Sequence, residues 1–268
     1  MLNLRILSAL IGVPIVIGSV YLGGPWYALF LLLVANLGIY EYNHILKNKS
    51  YSAPAVVGFI GVSLFMAALY FKKPELLYPL IMLLFFCLFV SALFNMEKMS
   101  ISESAISLWG ILYIGGMSGY LLMLRMLPNG AIYTYLLLAG VWIHDSLAYF
   151  IGIKWGLRKF APQISPKKSV EGSLAGIIGT VVLFLSVSIL IPDLITIKPS
   201  QAIILALGIS VFAQLGDLLE SALKRQLKVK DSGGLIPGHG GILDRFDSLW
   251  LAAPFVYYFF QLVNMLQK

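Results

Sequence analysis

Residues 131–153 read AIYTYLLLAGVWIHDSLAYFIGI, a mostly apolar run that is long enough to cross a bilayer as a helix. The whole chain has this character, because 59% of its 268 residues are hydrophobic and only 12% are charged. A soluble domain carries roughly 25% charged residues, so this chain must bury apolar surface in lipid. The composition predicts an all-α, polytopic integral membrane protein.

Nine apolar segments approach the roughly 20 residues that a spanning helix needs. Turn and charge signals such as Gly23-Gly24-Pro25 and Pro128-Asn129-Gly130 separate them. The third and fourth segments are short, so eight spans is the alternative to nine. We expect a single transmembrane domain over residues 1–268. The predicted segments are 5–22, 26–46, 55–71, 77–94, 106–126, 131–153, 171–192, 201–223 and 246–266.

The basic residues are distributed unevenly between the predicted loops. With nine spans, 14 of the 19 Lys and Arg residues fall on one side of the membrane. The positive-inside rule makes that side cytoplasmic, and it then holds the N-terminus and the two longest loops, 154–170 and 224–245. On charge alone, basic loops that only orient helices and bind anionic head groups are the alternative.

Several ionisable side chains lie within the predicted spans, where each costs about 2.5–3.5 kcal/mol near the helix centre and is functional by default. Asp145 falls late in the sixth segment. On the eighth segment, Asp217, Glu220, Ser221 and Lys224 are spaced to form one polar face of a helix that leads to the cytoplasmic loop. These positions predict a charged site at one membrane face.

Other carboxylates have simpler alternative explanations. Asp244 and Asp247 share a face at the start of the ninth segment, where either could merely cap the helix. Glu220 is expected to pair with Lys224, four residues on, in preference to a catalytic role. Glu41 lies near the end of the second segment, and an interfacial position is the simpler account of it.

Both signs of charge at the depth of lipid head groups suggest metal-assisted chemistry between phosphates. Carboxylates suit Mg²⁺, which binds one or two of them together with substrate phosphates, and Lys and Arg suit the phosphates themselves. The glycines of GHGGILDRFD, residues 238–247, permit positive φ and close backbone approach to a phosphate. The start of the ninth helix is expected to present free N–H groups to an anion. The chain has no Walker A motif, and no nucleic-acid partner is expected.

The charged residues of the last half resemble the signature of the CDP-diacylglycerol synthases, or phosphatidate cytidylyltransferases. The match runs in order over 27 positions, and two further stretches agree, with Ser169 where the family prefers Thr. We therefore expect a catalytic half at about 131–268 and a set of N-terminal helices in 1–126. The matching stretches are Ser221-x-x-Lys224-Arg225, Lys230-Asp231-x-Gly233, Pro237-x-His239-Gly240-Gly241-Ile242-x-Asp244-Arg245-Phe246-Asp247, Asp145-Ser-Leu-Ala148-Tyr149-x-x-Gly152 and Ser165-Pro166-Lys167-Lys168-Ser169-x-Glu171-Gly172.

The resemblance implies an enzyme that converts CTP and phosphatidic acid into CDP-diacylglycerol and pyrophosphate at the cytoplasmic face of the plasma membrane. It implies that Asp217 and Asp244 hold Mg²⁺, with Asp247 and Asp145 as further acidic residues and a second cation nearby, for which K⁺ is a candidate. Membrane lipids and, by analogy, a second copy of the chain are the other implied partners. The residues expected to bind substrate or neutralise its charge are Lys224, Arg225, Arg245, Ser221, His239, Gly240, Gly241, Ser165, Lys167 and Lys168, of which the last two would close over the triphosphate.

Two other classes of membrane protein are alternatives. A cation- or proton-coupled transporter also uses intramembrane carboxylates, but it does not need a long, basic, glycine-rich loop. The CDP-alcohol phosphotransferases share a D-G-x-x-A-R pattern followed by two spaced aspartates, which this chain lacks. Lipid phosphatases need a paired Arg and His arrangement that is also absent from the sequence.

Overall fold

Long helices dominate the computed structural model, which describes residues 2–48, 51, 54–95, 99–195, 197–236, 238 and 240–266. Nine helical segments lie in these ranges, and each overlaps one of the nine predicted apolar segments. Seven of them are long and apolar enough to cross a membrane, whereas the apolar stretches Ile6–Leu22 and Ala55–Tyr70 are shorter. The prediction of an all-α, polytopic integral membrane protein is confirmed.

The described chain divides into two compact units. The first comprises Met1–Met123 and Gln226–Arg245. A π-helical turn, Leu112–Gly116, joins α5 (Ile101–Ile111) to α6 (Met117–Met126), so that Ile101–Met126 forms one span. The expected single domain with a catalytic half stays a prediction. The helices that begin in this unit are α1 (Leu2–Leu22), α2 (Gly24–Lys47), α3 (Ala55–Tyr70), α4 (Leu77–Phe94), α5 (Ile101–Ile111) and α6 (Met117–Met126).

Close packing of α2 against its neighbours organises the first unit. The Tyr42 hydroxyl of α2 donates a hydrogen bond to the Ile106 carbonyl oxygen at 2.9 Å. The Tyr42 ring also lies 5.9 Å from that of Trp109, centroid to centroid. Only glycine fits at position 110, because a Cβ atom there would collide with the Tyr42 ring. The α2 backbone is thereby held in place by α5, which fixes the side chains that α2 directs into the unit.

The second unit comprises Leu124–Arg225 and Phe246–Lys268. In this unit α7 (Gly130–Trp155) packs against α8 (Val170–Leu190) through glycines, which allow helix backbones to approach closely in membranes. A Cβ atom on Gly176, for example, would lie 2.7 Å from the His144 Nδ1 atom. Its helices and strands are α7 (Gly130–Trp155), β1 (Lys159–Ala161), β2 (Ser165–Ser169), α8 (Val170–Leu190), α9 (Pro199–Gln226) and α10 (Leu243–Leu266).

The short β-hairpin between α7 and α8 was not predicted from the sequence. Its strands pair Lys159 with Ser169 and Ala161 with Ser165 in antiparallel register. Ser169 is also the N-cap of α8, because its Oγ atom accepts a hydrogen bond from the Gly172 N–H at 3.2 Å. The hairpin therefore holds Lys168 one residue before a capped helix.

Candidate active site

Asp217 on α9 lies in a cluster of charged and polar side chains within the second unit. Its Oδ2 atom is 2.7 Å from the Lys168 Nζ atom, and its Oδ1 atom accepts a hydrogen bond from the Ser221 hydroxyl at 3.2 Å. The Asp217 side chain remains 36% exposed, so a ligand can reach it. The hairpin thus brings one of the two predicted phosphate-binding lysines onto the carboxylate that was predicted to bind metal.

Two further carboxylates of the second unit, those of Asp145 and Asp247, lie near Asp217. Asp247 on α10 is only 8% exposed, and its Oδ1 atom accepts a hydrogen bond from the Ser248 N–H at 2.6 Å. The negative charges of Asp217 and Asp145 and the positive charge of Lys224 all act on Asp247. The carboxylates of Asp145 on α7, Asp217 on α9 and Asp247 on α10 therefore lie near one another, and we call these three residues the acidic cluster.

The predicted pair of Glu220 and Lys224 is confirmed. Their Oε2 and Nζ atoms are 2.6 Å apart, and the Glu220 side chain is only 3% exposed. Because a buried carboxylate is costly without a partner, this contact accounts for Glu220 without a catalytic role. The predicted polar face on α9 is also confirmed, since Ser221 bonds to Asp217 one turn earlier.

The backbones of α9 and α10 are nearly in contact beside the acidic cluster. A Cβ atom on Gly216 would collide with the backbone carbonyl oxygen of Asp247. This close approach places Asp217, the next residue, beside the Asp247 turn of α10. Gly216 therefore sets the spacing between two carboxylates of the cluster.

We expect Gly216→Ala to destabilise the protein by about 1–3 kcal/mol, because overpacking at a helix contact forces the backbones apart. Thermal unfolding in detergent measures this as a lower midpoint. Gly18→Ala is a matched control in α1, where a Cβ atom meets no other atom within 4 Å. Equal midpoints for the two variants would contradict the close contact.

The remaining predicted residues of the second unit lie on or beside the hairpin. Lys167 is exposed and Ser165 is half-buried. Arg225, at the end of α9, donates a hydrogen bond from its Nε atom to the Ile164 carbonyl oxygen at 3.1 Å. The end of α9 and the hairpin therefore lie at the same end of this unit, together with Lys168.

In the first unit, Asp244 organises the glycine-rich loop that precedes α10. Its Oδ2 atom accepts hydrogen bonds from the Ser232 N–H at 3.0 Å, the Ser232 hydroxyl at 2.7 Å and the Gly241 N–H at 2.9 Å. Arg245, the next residue, is exposed. Asp244 is thus the acceptor that closes the loop from Ser232 to Gly241, a role that the sequence did not predict.

Glu41 lies buried within the first unit, and the prediction that it is interfacial stays a prediction. Its side chain is 2% exposed, and its Oε2 atom accepts a hydrogen bond from the Leu243 N–H, the first of α10, at 3.0 Å. The expectation that this helix start presents its N–H groups freely to an anion was wrong for Leu243, because a protein carboxylate already accepts that bond. A helix N-terminus favours a carboxylate in the same way that it favours a phosphate.

The loop glycines serve two different purposes. Gly238 and Gly240 have φ angles of 77° and 84°, the left-handed region that glycine adopts without strain, as predicted. Gly241 instead has no room for a side chain, because a Cβ atom there would collide with the Glu41 and Ser232 side chains. The predicted substrate-binding residue His239 lies outside the described residues.

The donor set of the acidic cluster suits Mg²⁺. Within the described ranges, no group of three or more His, Cys, Asp or Glu side chains is arranged to hold a metal ion. Mg²⁺ does not need one, because it commonly takes one or two carboxylates and completes its shell with water and substrate phosphates. The part-exposed Asp217 carboxylate, whose Oδ2 atom contacts the Lys168 ammonium group, fits that pattern.

Comparisons with known proteins match nearly the whole chain. The sequence model of the Cytidylyltransferase family matches residues 3–263. A phosphatidate cytidylyltransferase from Bacillus subtilis is 32% identical over 97% of this chain and 98% of the relative. Proteins of the same name from Synechocystis and Staphylococcus saprophyticus are 36% and 32% identical, over 95% and 94% of this chain and 95% and 96% of the relatives.

Proposed function

The chain belongs to the Cytidylyltransferase family, and we propose that it is a phosphatidate cytidylyltransferase. It would convert CTP and phosphatidate into CDP-diacylglycerol and pyrophosphate. The observation that carries this proposal is the contact between Lys168 and Asp217 beside the other acidic residues. A site for phosphoryl-group chemistry needs carboxylates that bind a metal ion and a basic side chain that binds the phosphates. The acidic cluster supplies the carboxylates, and Lys168 supplies the basic side chain.

The reaction exchanges one phosphoanhydride bond for another. A phosphate oxygen of phosphatidate forms a bond to the α-phosphorus of CTP, and the bond from that phosphorus to the α–β bridging oxygen breaks. Pyrophosphate leaves with the electron pair. The attacking phosphate is already ionised at neutral pH, so the protein does not need a general base. Its task is to orient two anions and to neutralise their charge.

We propose Mg²⁺ as the cofactor, with Asp217 and Asp244 as its protein ligands and Asp247 and Asp145 as supporting acids. When bound, Mg²⁺ would neutralise phosphate oxygens and favour attack at the α-phosphorus. A second cation, with K⁺ as a candidate, belongs to the same proposal. The support is the donor chemistry of these carboxylates and the resemblance of their spacing to the family signature.

The basic residues divide the phosphate binding among themselves. We assign Lys224, Arg225, Arg245 and His239 to the charge of the substrates and of the leaving pyrophosphate. Lys168 contacts Asp217 in this structure, and it would bind a phosphate of CTP if a cation occupied that carboxylate.

Pyrophosphate release from the purified protein tests the proposed activity. We expect release only when CTP, phosphatidate and Mg²⁺ are all present, and none when EDTA replaces Mg²⁺. Release from CTP without phosphatidate would indicate a simple nucleotidase. Failure of any pyrophosphate to appear would favour the transporter class, which uses intramembrane carboxylates without consuming CTP.

Lys168→Ala is expected to raise the KM for CTP about tenfold, the effect of losing one charge-assisted phosphate contact. The KM for phosphatidate should change less. Lys167→Ala is the matched comparison, because its side chain is exposed on the neighbouring hairpin position, and we expect at most about a threefold change. Steady-state kinetics with each substrate varied in turn would contradict this assignment if Lys167→Ala had the larger effect.

We also propose that the catalytic face is cytoplasmic. The support is the positive-inside rule and the position of the hairpin and the end of α9 at one end of the second unit. In a Cys87→Ser background, cysteines placed at Lys159 and Lys230 should react with an impermeant thiol reagent only from the cytoplasmic side. One placed at Lys198 should react only from outside. Labelling of Lys159 and Lys198 positions from the same side would refute this topology.

A further inference from the structure

We propose that Glu41, a residue of α2 that lies far from the signature in sequence, is the positioning residue for the loop from Ser232 to Asp244. The carboxylate holds the loop against the start of α10 and so sets the orientation of Asp244. Its consequence for catalysis rests on the proposed function, whereas its consequence for the loop does not. All the residues involved belong to the first unit.

The contacts of Glu41 are those of a helix cap supplied by a distant helix. The Oε2 atom accepts the Leu243 N–H at 3.0 Å, across a separation of 202 residues. The first N–H groups of a helix lack partners within the helix. A buried acceptor at that point favours the start of α10 at Leu243, because it satisfies the N–H of that residue.

Ser232 lies between the carboxylates of Glu41 and Asp244. The Ser232 Oγ atom is 2.7 Å from Asp244 Oδ2 but 3.5 Å from Glu41 Oε2. A hydroxyl has one hydrogen to donate, and the shorter contact shows that Asp244 receives it. Two carboxylates, one from each end of the sequence, thus hold the loop between them through backbone N–H groups and one serine.

The signature glycines make room for Glu41. A Cβ atom on Gly233 would lie 2.6 Å from the Glu41 Oε1 atom, and one on Gly241 would collide with Oε2. Neither residue has a positive φ angle in the described structure, so conformational freedom does not explain them. The loop backbone instead needs glycine at both places because it wraps closely around this carboxylate.

These contacts require that the side chain at position 41 place an acceptor oxygen within hydrogen-bonding distance of the Leu243 N–H. Glutamine keeps that oxygen and removes the charge, alanine removes both, and aspartate keeps the charge but withdraws the oxygen by one methylene. If Glu41 instead acted through its charge, for example as a ligand of a cation, glutamine would fail as badly as alanine. The three substitutions therefore separate the two roles.

The test combines hydrogen–deuterium exchange of the 232–244 segment with steady-state kinetics on the purified full-length protein. Glu41→Gln should match the wild type in exchange and keep kcat within about threefold. Glu41→Ala and Glu41→Asp should expose the segment to exchange and lower kcat about 100-fold, the cost of misplacing a reacting group by about 1 Å. The KM for CTP should stay within about threefold. Glu75→Ala, on an exposed residue of the same unit, should change neither measurement.

A Glu41→Gln variant as inactive as Glu41→Ala, with wild-type exchange, would overturn the proposal in favour of a role for the charge. Unchanged exchange in Glu41→Ala would overturn it as well. If Glu41→Ala does not fold, the contrast between Glu41→Gln and Glu41→Asp still decides. If the wild type shows no cytidylyltransferase activity, the exchange data alone test the positioning role, so the two proposals fail separately.

Discussion

Replacing Asp217 with asparagine is expected to lower kcat roughly 1,000-fold while leaving the protein folded, the scale of losing several kcal/mol of charge stabilisation from a metal ligand. The amide keeps the shape of the side chain and its acceptor for the Ser221 hydroxyl. It removes the charge that pairs with Lys168 at 2.7 Å and that would bind Mg²⁺. Excess Mg²⁺ should restore little of the activity.

Glu220→Gln is the matched control for Asp217→Asn, because it lies one turn away on the same helix. Its carboxylate is engaged by Lys224 at 2.6 Å, and glutamine retains a hydrogen bond to that side chain. We expect less than a tenfold loss of kcat. A loss as deep as that of Asp217→Asn would show that the catalytic face of α9 includes Glu220, and near wild-type activity of Asp217→Asn would remove Asp217 from the metal site.

Asp244→Asn is expected to lower kcat roughly 100-fold to 1,000-fold, again by removing charge without removing shape. The amide oxygen can take the place of Oδ2 and accept the hydrogen bonds of Ser232 and Gly241. The 232–244 segment should therefore stay protected from hydrogen exchange. The loss of kcat should be accompanied by a weaker dependence of the initial rate on the Mg²⁺ concentration. Magnesium titrations of the initial rate measure it.

The control for Asp244→Asn is Asp193→Asn, which removes one exposed carboxylate from a distant loop and should leave the magnesium titration unchanged. If Asp244→Asn exposed the 232–244 segment to exchange and lost activity without any change in the magnesium dependence, Asp244 would be an organiser of the loop and not a metal ligand.

The helices were predictable because the local composition changes from apolar to polar near their ends. The predicted fourth segment, 77–94, coincides with α4, which ends where polar residues begin. The ninth predicted segment starts at residue 246, whereas the corresponding helix, α10, begins at Leu243. Glu41 supplies the cap that permits this earlier start. That cap joins residues 202 positions apart, and no periodicity in a single sequence links such a pair.

The charged residues of the candidate site could be predicted from the sequence, but the contact between elements that are distant in sequence could not. The spacing on α9 correctly placed Ser221 over Asp217 and paired Glu220 with Lys224, since both follow from helix geometry. The contact between Lys168 and Asp217 depends on the hairpin, whose second strand, SPKKS, lacks the alternation of apolar and polar residues that marks a strand.

The position of the label in the products shows directly whether this chain transfers the cytidylyl group of CTP to phosphatidate. The purified protein is incubated with phosphatidate, Mg²⁺ and CTP that carries radioactive phosphorus at either the α or the γ position. We predict that the α label becomes lipid-extractable and that the γ label is released as water-soluble pyrophosphate. Recovery of both labels in water-soluble products, or of the γ label in the lipid fraction, would contradict cytidylyl transfer to phosphatidate.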